Sequence, residues 1–216
     1  MIEQVRMLTI IVIVAAAALA LTPPGYPRDT RGPAYTSHDL ARIVDSPPVL
    51  PGWSPFEEAD PYLFPIPAHA PAFTLREFLG ESPSKTQRIL ADKLRKAGFL
   101  IGRHRVWDGE HTPAPRQPAQ GVVFAFLFRT VSGAGAGFRA LRPGGRVKGS
   151  LPAAGLGSES WGLHRSGGGE AALYAWRRSN LVVFAEMVCD SECRFPVVSP
   201  ARAYAGEIDA RAKHTS

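Results

Sequence analysis

The chain has little cysteine, two residues in 216, and that scarcity excludes a small fold stapled by several disulfides. Long apolar runs are also scarce. Only residues 7–21 form one, so a bundle of membrane-spanning helices is excluded. Charge is modest at 20%, hydrophobic content is 45%, and the 21 glycines follow no three-residue repeat, which excludes both a fully disordered and a collagen-like chain. The length fits one domain plus a tail.

What the sequence does contain is unevenly distributed. The net charge is +6, yet residues 21–60 carry three basic and six acidic side chains, whereas residues 61–216 carry 21 and 12. The folded part is therefore the basic part, and it invites an acidic partner.

The apolar run, MLTIIVIVAAAALAL, is fifteen residues long and follows Glu3 and Arg6. As a helix it would span about 22 Å, short of the hydrocarbon core of a bilayer. It reads as the core of a signal peptide, with Ala18-Leu19-Ala20 as the small-x-small cleavage pattern. The alternative is an uncleaved anchor. In both cases the rest of the chain is expected outside the cytoplasm, and with no cysteine near the site a lipid-modified N-terminus is not expected. Between residues 21 and 83 stand 13 of the 20 prolines. Proline removes backbone donors and biases its preceding neighbour towards extended backbone, so residues 22–83 are expected to form a tether rather than a sheet or a long helix. Trp53, Phe56, Tyr62-Leu63-Phe64 and Phe73 are too apolar for a free linker, and residues 49–79 are expected to strap onto the domain.

Residues 84–216 read as an α+β domain. Ser84 and Gln87 form a capping-box pattern ahead of Leu90, Leu94 and Ala97, which predicts a helix over 84–97. Strands follow at 99–107 and 122–131, the second apolar on both faces and hence central. A glycine-alanine run and a short helical piece at 138–142 come next. Two further strands, 159–165 and 171–178, form a hairpin, and Ser179-Asn180 turns the chain into LVVFAEMVC. In that register Trp176 faces Val183 and Tyr174 faces Ala185. The resulting apolar face needs a helix, which the 199–213 stretch supplies through Ala201, Tyr204, Ala205, Ile208 and Ala212. The expected fold is an antiparallel sheet of about five strands packed by an N-terminal and a C-terminal helix.

Several chemical patterns come close without completing. Ser82-Pro83-Ser84-Lys85 has Ser-x-x-Lys spacing, but the partner motifs of penicillin-recognising enzymes are missing and helix capping accounts for the serines. Ser160 sits in an imperfect nucleophile elbow, since Ser158 stands where a glycine is required. Gly133-Ala134-Gly135-Ala136-Gly137 lacks dinucleotide-binding spacing and reads as a flexible turn. His104, His111, Asp108 and Glu110 have no recognised metal spacing and read as a solvated surface. No catalytic residue, cofactor or metal is expected. Cys189 and Cys193, with three residues between them, lack the spacing of redox-active pairs. In an oxidising compartment they are expected to form one structural disulfide, worth about 2 kcal/mol at most.

The remaining candidates are binding residues. Twenty of the 25 basic residues are arginine, and Arg103, Arg105, Arg129, Arg177 and Arg178 fall on predicted strands near Trp107 and Trp176. Nucleic acid is not expected for an exported chain without a recognition motif. An anionic envelope component, or another envelope protein, is the better partner for such a surface. Arg177, Arg178 and Trp176 are the binding candidates, joined by Glu186, a charge in an otherwise apolar strand that is expected to point to a sheet rim.

The pattern Ala175-Trp176-Arg177-Arg178-x-Asn180-Leu181-Val182-Val183, with Ala201-Arg202-Ala203-Tyr204-Ala205-x-x-Ile208-Asp209, resembles exported or lipoprotein-type actinobacterial domains. It is more loosely similar to the extracytoplasmic sensor domains of mycobacterial receptor kinases. This chain departs from those relatives in lacking a lipobox cysteine and a kinase domain. The resemblance implies a non-enzymatic, sensor-like or binding role in the envelope. The alternative is an extracytoplasmic hydrolase using Ser160 or Glu186 in a cleft near residues 132–169.

Overall fold

A computed structural model describes residues 34–48, 53–55, 72–80, 82–109, 120–143, 149–152, 154–166, 169–189 and 197–215. The expected leader at 7–21, most of the 49–79 strap and Cys193 lie outside the described residues. Among the described residues no helix is long and apolar enough to cross a membrane.

The elements run in the order α1 (Ser37–Val44), β1 (Ser54–Pro55), β2 (Ala72–Phe73), α2 (Leu75–Leu79), α3 (Lys85–Lys96), β3 (Phe99–Asp108), β4 (Gln120–Phe128), α4 (Val131–Leu141), β5 (Ser150–Leu151), β6 (Glu159–Ser166), β7 (Glu170–Arg178), β8 (Leu181–Cys189) and α5 (Val198–Thr215). The eight strands form one open antiparallel sheet in the order β1-β3-β4-β8-β7-β6-β5, with β2 also paired to β3. Sequence periodicity finds the five long strands. It misses β1, β2 and β5, because a two-residue strand is too short to show alternation.

The register across Ser179-Asn180 is the expected one, Trp176 opposite Val183 and Tyr174 opposite Ala185. Period-two alternation then sends Val183, Ala185 and Met187 to one face and Val182 and Phe184 to the other, and all five are buried. Helices cover both faces. Leu40, Ile43 and Val44 of α1 and Ala201, Tyr204, Ala205 and Ile208 of α5 share one core with Val123, Ala125, Trp176 and Met187. Leu90 and Leu94 of α3 and Phe138 and Leu141 of α4 share the other with Phe73, Phe126, Phe128, Trp161 and Phe184.

Two expectations fail for identifiable reasons. The glycine-alanine run is helix α4 rather than a turn, capped by Thr130, whose hydroxyl accepts from the Gly133 N–H at 3.0 Å. Glycine disfavours an isolated helix, but close packing decides here. A Cβ on Gly133 would stand 2.2 Å from the Ala97 carbonyl oxygen, and one on Gly137 would stand 2.2 Å from the Phe128 ring. The Pro-rich stretch, in turn, supplies more than a strap. Between its prolines the segment Thr36–Asp45 is free of proline, and it forms α1 with a Thr36–Asp39 capping box and three buried apolar side chains.

Candidate functional site

The predicted binding residues become scaffold. Trp176 is fully buried beneath α5, and its indole N–H has no acceptor among the described residues. Arg178 donates through Nε and Nη2 to Asp209 of α5 at 2.9 and 3.0 Å, and Lys213 approaches the same carboxylate at 3.1 Å. Asp209 is only 2% exposed, so Arg178 serves to neutralise a buried charge. Arg177 reaches the Glu159 carboxylate across the β6–β7 pair at 3.5 Å. These three adjacent residues therefore point to different partners and form no common site.

Glu186 does not lie on a rim. It stands on β8 between Val122 of β4 and Leu173 of β7, and it is 5% exposed. Arg165 donates to its Oε1 at 3.3 Å. Burial pushes the Glu186 carboxyl above its ordinary range, and the Arg165 charge offsets only part of that rise. The sequence cannot show this burial, because one acidic residue among eight apolar ones looks the same at an edge and at a centre.

The catalytic patterns resolve as structure. Ser160 lies on β6 opposite Trp176, and the histidine four residues along the same face, His164, is turned to Glu170. Ser84 accepts from the Gln87 N–H at 3.2 Å as the cap of α3. His104 is not solvated, as its acidic neighbours suggested. It is 2% exposed and stacks on Phe124, with ring centroids 5.7 Å apart and Phe73 beside it. Among the described residues no group of His, Cys, Asp or Glu is arranged to hold a metal. Cys189 ends β8 in the core, and no cysteine among the described residues is free.

Residues that no binding or catalytic pattern singled out do much of the structural work. Asn180, at the β7–β8 turn, accepts the Tyr35 N–H at 2.8 Å and donates to the Tyr35 and Phe128 carbonyls at 3.0 Å. Asp45, the C-cap of α1, pairs with Arg103 and lies 3.5 Å from Arg105, which ties that helix to β3. An open depression lies where α1 and α5 end, lined in part by Arg42, Arg211 and His214. Arg211 spends its donors on the carbonyls of Ile43, Ser46 and Pro47 and leaves little for a ligand.

The two helical layers differ sharply in charge. With their caps, α1 and α5 carry Arg42, Arg202, Arg211 and Lys213 against Asp39, Asp45, Glu207 and Asp209, a net of zero. With their caps, α2, α3 and α4 carry eight basic side chains against Glu77 and Asp92, a net of +6. Local sequence explains the second layer. On α3 the exposed positions are Lys85, Arg88, Ile89, Asp92, Arg95 and Lys96, one face of a 3.6-residue period, while Leu90, Ala91 and Leu94 face the sheet. Compared with known protein families, curated proteins and solved structures, the chain finds no match.

Proposed function

We propose that the chain is an exported, non-enzymatic binding or sensor-like protein of the cell envelope, whose partner is anionic. The observation that carries this reading is the charge division between the layers. In the neutral layer Asp45 and Asp209 are consumed by strand arginines, whereas the basic layer presents its surplus outward. The leader pattern at residues 7–21 and the pair Cys189 and Cys193 fit an oxidising compartment. The hydrolase alternative is weakened by Ser160, whose same-face histidine is held by Glu170, and by the enclosure of Glu186 among apolar side chains.

Fractionation of cells that express the full chain tests the proposal. The protein should be digested by protease added outside the cytoplasmic membrane, and its two thiols should react with maleimide only after reduction. It should also sediment with envelope material and be released by salt. Recovery from the cytosol with both thiols reactive overturns location and role together.

A further inference from the structure

We propose that the outward surface of α3 and α4 is a docking face for an anionic lipid bilayer. The inference rests on the envelope reading above and sharpens it by naming the surface and the partner. Two observations converge on this layer. Exposed basic side chains are concentrated here, with Lys85, Arg88, Arg95 and Lys96 on α3 and Arg139 on α4. Of these, Arg95 is paired with Asp92, both well exposed to solvent. The large hydrophobic side chains left exposed among the described residues are Ile89 and Leu100, at 44% and 47%, and both belong to this layer or its border.

Their placement follows from the chain path. Ile89 stands within the exposed stripe of α3, flanked by Arg88 and by Lys85 one turn before. Leu100 follows two residues after the Gly98 turn, at a register shift in β3 where Phe99 pairs with Phe128 and Ile101 with Leu127. The Arg129 N–H donates to the Gly98 carbonyl at 2.9 Å, so another exposed arginine borders the same corner.

Charge complementarity favours an anionic partner, and the two apolar side chains favour a bilayer over a soluble polymer. A headgroup region accepts both lysine or arginine charge and a shallow aliphatic insertion, whereas a hydrated polyanion offers nothing to Ile89 or Leu100. The opposite layer, with zero net charge, turns to solvent, and the molecule acquires a defined orientation on the surface.

The test uses the full chain with phosphatidylcholine vesicles, with and without phosphatidylglycerol. Any contribution of residues 7–21 is common to both, so the difference between them reads the docking face. The double variant Lys85→Gln/Lys96→Gln should lose roughly 30-fold of the phosphatidylglycerol-dependent affinity, from about 1 kcal/mol per charge. Arg42→Gln/Arg202→Gln removes the same charge from the other layer and should leave that affinity within about twofold. Ile89→Ser/Leu100→Ser should weaken binding further in low salt, and circular dichroism of each variant checks that it folds. Equal loss in both charge variants, or no phosphatidylglycerol dependence, overturns the docking face. If the chain then still binds isolated envelope polymer, the broader reading stands; if it binds neither, both fall.

Discussion

The two faces of the sheet are held by different physics. On the α1/α5 face, helices are tied to strands by ion pairs, Asp45 to Arg103 and Arg105 and Asp209 to Arg178. On the α3/α4 face, the ion pairs among the described residues run within one helix or from strand to strand, as with Glu186 and Arg165 or Glu159 and Arg177. There the helices are held by apolar packing, with Leu90, Leu94, Phe138 and Leu141 set against a sheet face rich in rings. Phe126 alone meets Phe73, Phe78, Phe99 and Phe184 at centroid distances of 5.4–6.0 Å. The contrast teaches that a basic residue's role depends on what lies beneath it. Over buried carboxylates it becomes structure, and over a layer of phenylalanine it stays available.

Breaking the first face should have the largest effect. Asp209→Ala leaves Arg178 without its partner in a half-buried position and should cost about 3 kcal/mol, read as a lowered urea midpoint. The double replacement Asp209→Leu/Arg178→Met should recover most of that loss, because no uncompensated charge remains. A double variant as unstable as the single one would show that the pair supplies shape rather than neutralisation.

Glycine sharpens the comparison at intermediate size. On α4, Gly133→Ala drives a methyl group into the Ala97 carbonyl and should cost roughly 1–3 kcal/mol. On α5, Gly206 has open space where a Cβ would go, so Gly206→Ala should add about 0.5–1 kcal/mol through helix propensity. Thermal melts of the two variants should shift in opposite directions. A shared sign would refute the packing account of α4.

The smallest effect is a slope. Burial raises the Glu186 carboxyl above its ordinary value of 4.5, so the folded protein holds that proton more tightly than the unfolded chain does. Between the two values the folded state binds more protons, and stability must fall as pH rises through that window. Glu186→Gln should flatten this decline. An unchanged pH profile would mean that Arg165 fully compensates the burial.

Much of the fold was legible from periodicity. The Ser84–Gln87 capping box, the two-residue turn at Ser179-Asn180 and the apolar stripe from Ala201 to Ala212 are local signals, and local signals fix local structure. What failed was set by partners distant in the chain. The α4 glycines are read as a turn unless Ala97 and Phe128 are known to press against them. Trp176 and Arg178 resembled a binding patch because the covering helix and its Asp209 come thirty residues later. The exposed basic positions of α3, 85, 88, 95 and 96, gain their significance only beside the neutral opposite layer, which local periodicity does not show.

The clasp between Tyr35 and its partners ties folding to the order of synthesis. Tyr35 bonds backbone to side chain with Asn180, 145 positions away, and its hydroxyl donates to the Ala212 carbonyl, 177 positions away. Contacts of such span demand expensive loop closure, so completion should be slow and late. Until α5 is made, the face bearing Leu181, Val183, Ala185 and Met187 has only the part of its roof that α1 supplies. A nascent chain in that state is sticky, and its exposed strand stays open to chaperones and to misassociation until α5 docks.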